Sequence, residues 1–389
     1  MKIAILLNLS DETSGGSYQF NKSIYESLIT KCQDFRHELF FVFQKRNQVG
    51  SVPDLALPTI MQYRFYFLKQ FVKETISSIL SRNKISFENC RSSWLNRNLL
   101  ANDIKAVWSV NPLSTPLDLP YLTTSWDISH KITPYFKEIS GSGVILDKRD
   151  QVCKSVFRKA FRIIVGTEHG KNEIFNSYGI NPERIVVEPL PVPHNSSENR
   201  LVRNQYQFIY PANFWPHKNH FIIVKALSEL ITANNLPIKF IFTGSDKGNL
   251  EYIKRLVTTF DLDHLVEFQG FISRSDLNEL YETSNACVFP SLIGPDNLPP
   301  LEALTYGCKA LVADIPGARD QFSKFAVYFD PYDSQNLAML IHKTIIEFKN
   351  YDKIDEDLGL FLKSRTPEIY VHSIMTELDK LEVVVGLTE

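Results

Sequence analysis

The chain has 389 residues, 44% of them hydrophobic and 22% charged, with a formal net charge of -2. This composition is typical of a soluble globular protein of about two domains and excludes a disordered, collagen-like or strongly nucleic-acid-binding chain. Basic residues are in excess in the first half and acidic residues in the second. The basic half suits an anionic partner, such as a lipid diphosphate or a membrane surface, but chance asymmetry between two solvated domains explains it equally well.

The five cysteines are scattered and lack any CxxC spacing, so neither a zinc site nor a disulfide framework is expected. A reducing compartment, the cytoplasm, fits them best. No apolar run approaches the roughly 20 residues that cross a bilayer, and no secretory signal is visible at the start of the chain. The cysteines are Cys32, Cys90, Cys153, Cys287 and Cys308.

The first elements form a βα unit. Residues 2–8 read as a buried strand, a Ser-Gly-Gly-Ser turn that includes Gly16 follows, and residues 18–31 read as a helix. The glycine turn allows the backbone to approach a ligand, although it lacks the GxGxxG pattern of a dinucleotide site. An ordinary tight turn is the alternative.

The segment 61–84 is rich in both aromatic and basic residues and contains one acid, Glu74. A helix of this kind can lie in a membrane interface. A helix that packs on the core and keeps a wet basic side is the alternative.

Two strands are predicted at 104–110 and 121–125, and Asp127 and His130 follow the second. Side chains at a strand end can orient the hydroxyl group of an acceptor. Alternatively, Asp127 caps a turn and His130 is a surface residue. A helix at 147–160, a strand at 162–167 and a helix ending at Tyr178 complete this half. Pro189, Pro191 and Pro193, followed by the polar stretch 194–204, are expected to form the linker between the domains.

The second half repeats the alternation of strands and helices. Strands are predicted at 206–211, 238–242, 266–268, 286–289, 310–313 and 325–329, with helices between them. We therefore expect two doubly wound α/β domains, at 1–195 and 205–365. The last residues, 366–389, are expected to form a helix that crosses back to the first domain.

The stretch from Pro290 to Asp314 carries the strongest chemical signal. A strand runs into a loop, Pro299 and Pro300 start a helix, and Glu302 is expected in its first turn. The N–H groups of Asn297 and Leu298 would then form an anion site at the helix start. Glu302 would face the same pocket and accept two hydroxyl groups, as a ribose offers.

This stretch resembles the signature of the family 4 retaining glycosyltransferases, which have the two-domain GT-B fold. Their usual pattern, EGFGLPPLEA, has two Glu residues separated by seven positions. Here Glu302 matches the second Glu, and Gly294 stands at the first. The sequence follows a GPxNLPPLEA variant of the signature, and we hypothesise that Asp296 supplies the missing carboxylate near the sugar.

Three further segments carry the resemblance. Asp127 and His130 match a WDL-x-H segment, which lies at the acceptor side of the cleft in the family. Lys218 matches the Lys of the segment that holds the donor diphosphate, whereas Asn213 replaces its Arg. The glycine loop with Gly16 faces the cleft in family members, and the turn with Phe271 lies against the nucleobase. With one cation missing, either the helix ends carry more of the neutralisation of the diphosphate, or another basic residue, such as Arg319, helps.

The resemblance implies a retaining, metal-independent glycosyltransferase of cell-surface polysaccharide synthesis. It would move a sugar from a nucleotide-sugar to a hydroxyl of a glycan or lipid-linked acceptor, without a cofactor and without nucleic acid, at the cytoplasmic face of the membrane and in contact with it through residues 61–84. An epimerase of the same fold and a non-catalytic binding module are the alternatives. The residues expected to act in catalysis are Lys218, Glu302, Asp127 and His130. Those expected to bind the donor are Gly16, Asn213, Lys218, Phe271, Gly294, Asp296, Asn297, Leu298 and Glu302.

Overall fold

A computed structural model describes residues 1–9, 16–31, 34–43, 87–192, 201–233, 236–294, 296–348 and 354–386. The basic aromatic segment at 61–84 and residues 193–200 of the predicted linker lie outside these ranges. Within them, no helix combines the length and the apolar character that crossing a bilayer requires.

The first half of the chain builds a six-stranded parallel sheet in the order β2-β1-β3-β4-β5-β6. Ile5 of β1 pairs with Phe41 of β2 on one side and with Trp108 of β3 on the other, which defines the register of these three strands. The strands are β1 (Lys2–Leu7), β2 (Glu38–Phe43), β3 (Ala106–Ser109), β4 (Tyr121–Thr124), β5 (Arg162–Val165) and β6 (Ile185–Val187). The helices are α1 (Gly16–Thr30), α2 (Phe87–Ala101), α3 (Ser129–Ile132), α4 (Lys137–Ser140), α5 (Gly143–Lys159) and α6 (Glu168–Tyr178).

The second half builds another six-stranded parallel sheet, in the order β12-β11-β10-β7-β8-β9. The strands are β7 (Asn204–Pro211), β8 (Lys239–Thr243), β9 (Val266–Gly270), β10 (Ser284–Phe289), β11 (Lys309–Ala313) and β12 (Ala326–Phe329). The helices are α7 (His220–Ala233), α8 (Leu250–Thr259), α9 (Arg274–Thr283), α10 (Leu298–Thr305), α11 (Ala318–Phe322), α12 (Ser334–Ile346), α13 (Glu356–Lys363) and α14 (Pro367–Gly386).

Both sheets are buried on both faces, as parallel sheets with helices on each side must be. Strand β10 is buried at every position and packs with β7 at the centre of the second sheet. The prediction of two doubly wound α/β units is confirmed, because each sheet is parallel and helices alternate with most of its strands; β3 and β4 are joined by a connection without a helix.

The last helix, α14, joins the core of the first half although it follows the second half in sequence. Tyr370, Ile374 and Leu378 are buried in one cluster with residues of β1 and α1. Arg36 pairs with Asp379 at 2.7 Å, and Arg162 pairs with Glu377 at 2.7 Å. The helix therefore ties the two halves together.

Several elements differ from the sequence-based expectation. Helices α2 and α13 and the short helices α3 and α4 were not predicted. The apolar residues of α2 show no clear helical period, and α3 and α4, of four residues each, are too short to show one. Helix α10 begins at Leu298, so the two prolines occupy its second and third positions. Glu302 therefore lies in the second turn and not, as expected, in the first.

The buried face of α14 generates a prediction. Ile374→Ala should lower the free energy of unfolding by about 2–4 kcal/mol, because Ile374 is fully buried against the first sheet. The matched control is Ile369→Ala on the same helix, whose side chain is 46% exposed and whose loss should cost less than about 1 kcal/mol. Urea unfolding followed by tryptophan fluorescence reports on this half, which holds Trp94, Trp108 and Trp126. Equal effects of the two substitutions would contradict the docking of α14.

Candidate functional site

A cavity of about 460 Å³ lies between the two sheets, at the carboxyl ends of their strands. This is the edge at which open α/β sheets bind their ligands. Both halves contribute to its walls. From the first half come Gly16, Ser17, Gln19, Phe20, Trp126 and Leu190, and from the second come residues that include Asn213, His217, Lys218, Phe271, Arg274, Asp296, Asn297, Leu298 and Glu302.

Lys218 places its ammonium group beside the start of helix α10. Its Nζ atom donates to Asn297 Oδ1 at 3.0 Å and to Ser291 Oγ at 3.3 Å, and it lies 5.2 Å from the centre of the Phe289 ring. Burial lowers the pKa of Lys218 to about 8, although the negative charge of Asp127 opposes the shift. The ammonium is therefore held in a poorly solvated position where an anion would relieve its desolvation.

The start of α10 supplies fewer N–H donors than the sequence pattern suggested. Asn297 is the extended residue before the helix, and Leu298 is the first helical residue. Pro299 and Pro300 follow and have no N–H group, so two of the usual free donors of a helix start are missing. The positive end of the helix remains, but the cavity depends more strongly on side-chain cations.

Glu302 is buried and already holds two partners of the protein. Arg274 donates to its Oε1 atom at 2.9 Å, and the hydroxyl of Tyr281 donates to Oε2 at 3.1 Å. Each carboxylate oxygen keeps a second lone pair, so Glu302 can still accept a hydroxyl group from a ligand in the cavity. Sequence reasoning missed Arg274, which begins α9 directly after the turn with Phe271; a basic residue next to a predicted ligand turn was the available signal.

Asn213 shapes a loop with its side chain. Its Oδ1 atom accepts the N–H of Ser245 at 2.9 Å and so joins the loop after β7 to the loop after β8. At Gly244, which has φ +128°, a Cβ atom would lie 2.3 Å from the carbonyl oxygen of Ala212. Only glycine allows this approach, and the two loops together form one wall of the cavity.

Gly294, expected among the donor-binding residues, is not one of the residues that line the cavity. It has φ +84°, a conformation in which a glutamate side chain would be strained, and the Asn297 side chain donates to its carbonyl oxygen. Arg319 does not face the cavity either: its guanidinium is exposed and pairs with Asp314 at 2.6 Å. The expectation that Arg319 helps to neutralise the diphosphate was therefore wrong.

Asp296 lines the cavity but turns its carboxyl group toward the first half of the chain. A Cβ atom on Gly166 would lie 2.1 Å from its Oδ1 atom, so the carboxyl group occupies the space that this glycine leaves open. Burial raises the pKa of Asp296 to about 7, with a further contribution from Asp127, while the Gly166 N–H and Arg365 oppose the shift. The hypothesis that Asp296 binds the sugar stays a prediction. In the structure, the carboxyl group of Asp296 lies against Gly166.

Asp127 and His130 do not form one site. Asp127 Oδ1 accepts the N–H of Ser129 at 2.8 Å and faces Arg149 at 3.3 Å, so it caps the turn before α3, as the alternative proposed. His130 is buried, with Nε2 3.1 Å from the hydroxyl of Tyr178, and burial lowers its pKa. It is neither a cavity residue nor the surface residue of the alternative, because the helix that carries it turns the ring into the core.

A second cavity of about 350 Å³ opens beside Asp127 in the first half of the chain. Trp126 lines both cavities and therefore separates them. The walls are mostly apolar, with Lys148 and Arg149 as the basic residues among those that line it. The arrangement suits a ligand with an apolar part and a negative charge.

Phe271 and Gly16 lie on opposite walls of the main cavity. The Phe271 ring is 52% exposed, which makes it available for stacking, and it follows Gly270 at φ +67°. Gly16 starts α1, and a Cβ atom there would lie 3.8 Å from the Leu298 side chain across the cleft. The two halves approach closely at this point.

Residues 193–357 match the sequence family described as "Glycosyl transferases group 1". Structures with the same architecture extend the likeness to the whole chain: a sucrose-phosphate synthase from Thermosynechococcus elongatus has a TM-score of 0.66 at 14% identity, and each chain is covered completely. The Anabaena protein Alr3699/HepE, crystallised with UDP and glucose, has a TM-score of 0.65 at 13% identity over 98% of this chain and 100% of that one.

The chain has the GT-B fold.

Curated relatives match mainly part of the chain. The O-antigen chain mannosyltransferase RfbU of Salmonella typhimurium is 25% identical over 212 residues, 54% of each chain. The serotype-specific mannosyltransferase WbdA of Escherichia coli is 31% identical over 226 residues, 57% of this chain and 28% of that protein. The chain thus spans about half the length, or less, of these two relatives. Together with the family match, they support a GT-B glycosyltransferase.

The raised pKa of Asp296 generates a prediction. Its folded-state pKa of about 7 lies above the ordinary value of 3.8, so the wild-type protein should lose stability as the pH rises between these values. Asp296→Asn removes this loss. The variant should match the wild type near pH 4 and exceed it above pH 7, by at most roughly 4 kcal/mol. Thermal unfolding of both proteins from pH 4 to 8 measures the difference, and a difference that does not vary with pH would contradict the buried carboxyl group.

Proposed function

We propose that the protein is a retaining glycosyltransferase that moves a sugar from a nucleoside-diphosphate sugar to a hydroxyl of a glycan or lipid-linked acceptor in cell-surface polysaccharide synthesis. One observation carries the proposal: the ammonium of Lys218 lies at the positive start of helix α10, inside a cleft that also holds Glu302. A diphosphate is the ligand that this combination of charge and helix dipole suits.

The rest of the cavity provides for the other parts of the donor. The ribose would contact Glu302, which keeps lone pairs for hydroxyl groups, and the base would stack on the exposed ring of Phe271. The sugar would then extend from the diphosphate toward Gly16 and Trp126. In this orientation the reacting carbon points toward the first half of the chain.

The acceptor would approach from the second cavity. Trp126 lines both cavities, so an acceptor bound beside Asp127 lies next to the sugar of the donor. Lys148 and Arg149 suit a negative group such as a lipid diphosphate, and the apolar walls suit its first carbons. The free cysteines among the described residues fit a reducing compartment such as the cytoplasm. A lipid-linked acceptor would bring the protein to the inner face of the membrane.

In the reaction, the bond between the anomeric carbon and the diphosphate oxygen breaks, and a bond to the acceptor oxygen forms on the same face of the sugar. The proton of the acceptor hydroxyl passes to the leaving phosphate. Lys218 and the start of α10 stabilise the negative charge that grows on the diphosphate. No side-chain nucleophile is required, and a closed cleft excludes the water that would hydrolyse the donor.

The function is tested by purifying the protein and measuring thermal shifts with UDP-, GDP- and dTDP-sugars, followed by transfer to polyprenyl-diphosphate glycans. Mannose donors come first, because RfbU and WbdA are mannosyltransferases. Transfer with retained anomeric configuration is the expected outcome. Conversion of the donor alone into an epimer would indicate an epimerase, and failure to bind any donor would indicate a non-catalytic module; either result contradicts the proposal.

A prediction concerns Lys218. Lys218→Met should lower kcat/KM by roughly ten- to hundred-fold, about 2 kcal/mol, because one charge-assisted contact to the diphosphate is lost. Lys225→Met is the matched control: Lys225 lies exposed on helix α7, close in sequence but outside the cavity. Steady-state kinetics with the best donor measure both variants. Unchanged turnover in Lys218→Met, or an equal loss in both, would remove Lys218 from the site.

A further inference from the structure

Two side chains meet across the cleft at the edge of the main cavity. Glu138 of helix α4 accepts the backbone N–H of His217 at 3.0 Å, and the same carboxylate oxygen lies 2.8 Å from His217 Nδ1. The two side chains expose only 6% and 11% of their surface. The rings of Phe136 and Trp215 flank the imidazole, with ring centres 6.0 and 6.5 Å away. The imidazole therefore has one defined orientation.

This orientation directs the chemistry of the ring. Because Glu138 engages Nδ1, that nitrogen carries a proton, and Nε2 is the nitrogen left for a ligand. His217 lines the main cavity, and the next residue is Lys218. The carbonyl oxygen of His217 also accepts the N–H of Leu292, which ties its backbone to the loop before α10.

The cavity needs another positive group beside Lys218. The carboxamide at Asn213 carries no charge, and its oxygen is used by the Ser245 N–H. The two prolines remove N–H donors from the start of α10. Among the described residues that line the cavity, Arg274 is the other cation, and Glu302 already holds it.

We propose that His217, held by Glu138 across the cleft, becomes an imidazolium when the donor binds and donates its Nε2–H to the diphosphate. The inference rests on the proposed function and adds to it a second diphosphate ligand and a positioning residue. His217 then does the work of the arginine that Asn213 replaces, and Glu138 provides the countercharge. Because Glu138 belongs to the first half, the charge is complete only when the two halves meet.

The charges around the ring give this assignment a pH signature. Burial and the neighbouring ammonium of Lys218 lower the pKa of His217, while Glu138 and Asp127 oppose the shift. A bound diphosphate adds negative charge and raises that pKa, so binding takes up a proton. The contribution of His217 to diphosphate affinity is therefore largest at low pH. It is lost as the pH rises from the pKa of the imidazole in the free protein to its pKa in the complex.

Isothermal titration calorimetry with GDP and UDP tests the assignment. Titrations of the full chain between pH 5.5 and 8, in buffers of different ionisation enthalpy, give the number of protons taken up. His217→Gln should abolish the uptake assigned to the ring and weaken binding by roughly ten- to hundred-fold at pH 6. Glu138→Gln keeps an acceptor for the ring but removes the charge, so affinity should survive at pH 5.5 and be lost at a lower pH than in the wild type. The titration of the free nucleotide is the same for the wild type and every variant, so it cancels in these differences.

Two further variants test whether the proton uptake comes from His217 and whether the pH midpoint depends on Glu138. Asp296 and Lys218, with pKa values of about 7 and about 8, also titrate within this pH range. Asp296→Asn removes the first, and the uptake that depends on His217 should persist in it. Lys218 stays protonated at pH 6 and below, so uptake measured there does not come from its ammonium group. Asp320→Asn removes a cross-cleft carboxylate that accepts the N–H of His169 at 2.9 Å and does not touch His217, so it should leave the pH midpoint unchanged.

The outcomes distinguish this inference from the proposed function. Wild-type protein that binds neither nucleotide overturns both. Normal binding with uptake at pH 6 that is undiminished in His217→Gln, or that disappears in Asp296→Asn, overturns the role of His217 alone. A pH midpoint that moves equally in Glu138→Gln and Asp320→Asn overturns the positioning role of Glu138.

Discussion

The contact between Lys218 and Asn297 is the interaction on which the site depends. Strands β7 and β10 are neighbours in the second sheet, so the loops that follow them emerge side by side. The first loop delivers Lys218, and the second delivers Asn297 and the start of α10, which brings an ammonium group and a helix dipole to one point. Burial makes this point more favourable for a diphosphate than an exposed lysine would be, because water does not screen the charges. The parallel topology thus brings a lysine and the positive end of a helix to one point of the cleft.

The departures from the family pattern form a connected set around this point. Gly294 adopts a left-handed conformation and leaves its carbonyl oxygen to Asn297, whose own oxygen orients Lys218. Asn213 lacks the charge of the arginine in the family pattern, and its side chain accepts a hydrogen bond that joins two loops. Each of these two residues replaces a charged residue of the family pattern, and each takes part in a hydrogen bond that fixes a loop of the cavity. The geometry therefore gives a physical reason to treat Gly294 and Asn213 as parts of an ordered pocket and not as the marks of a lost site.

The sequence was sufficient for the sheets and for the residues around Lys218, because buried strands and proline-started helices are local patterns. The sequence was insufficient for contacts between side chains that lie far apart along the chain. Arg274 reaches Glu302, and Glu138 reaches His217 over 79 positions, so no spacing rule connects them. His130 shows the opposite failure: its motif matched, but one turn of helix directs the ring into the core. The roles of the matched residues stay predictions, since geometry gives position and not activity.

The two connections between the halves differ in physical character, and the difference bears on how the cleft works. Helix α14 is attached to the first half through a buried apolar cluster, which water cannot replace. Across the cleft, in contrast, the contacts are mixed. The carboxylates of Glu138 and Asp320 accept backbone N–H groups, for which water can substitute, and Leu298 adds an apolar contact with the cluster of the first half. Opening the cleft therefore costs less than separating α14, which would expose a larger apolar core. The proposed transferase must admit a donor and release a diphosphate without unfolding, and a permanent joint at α14 beside a weaker contact across the cleft meets that requirement.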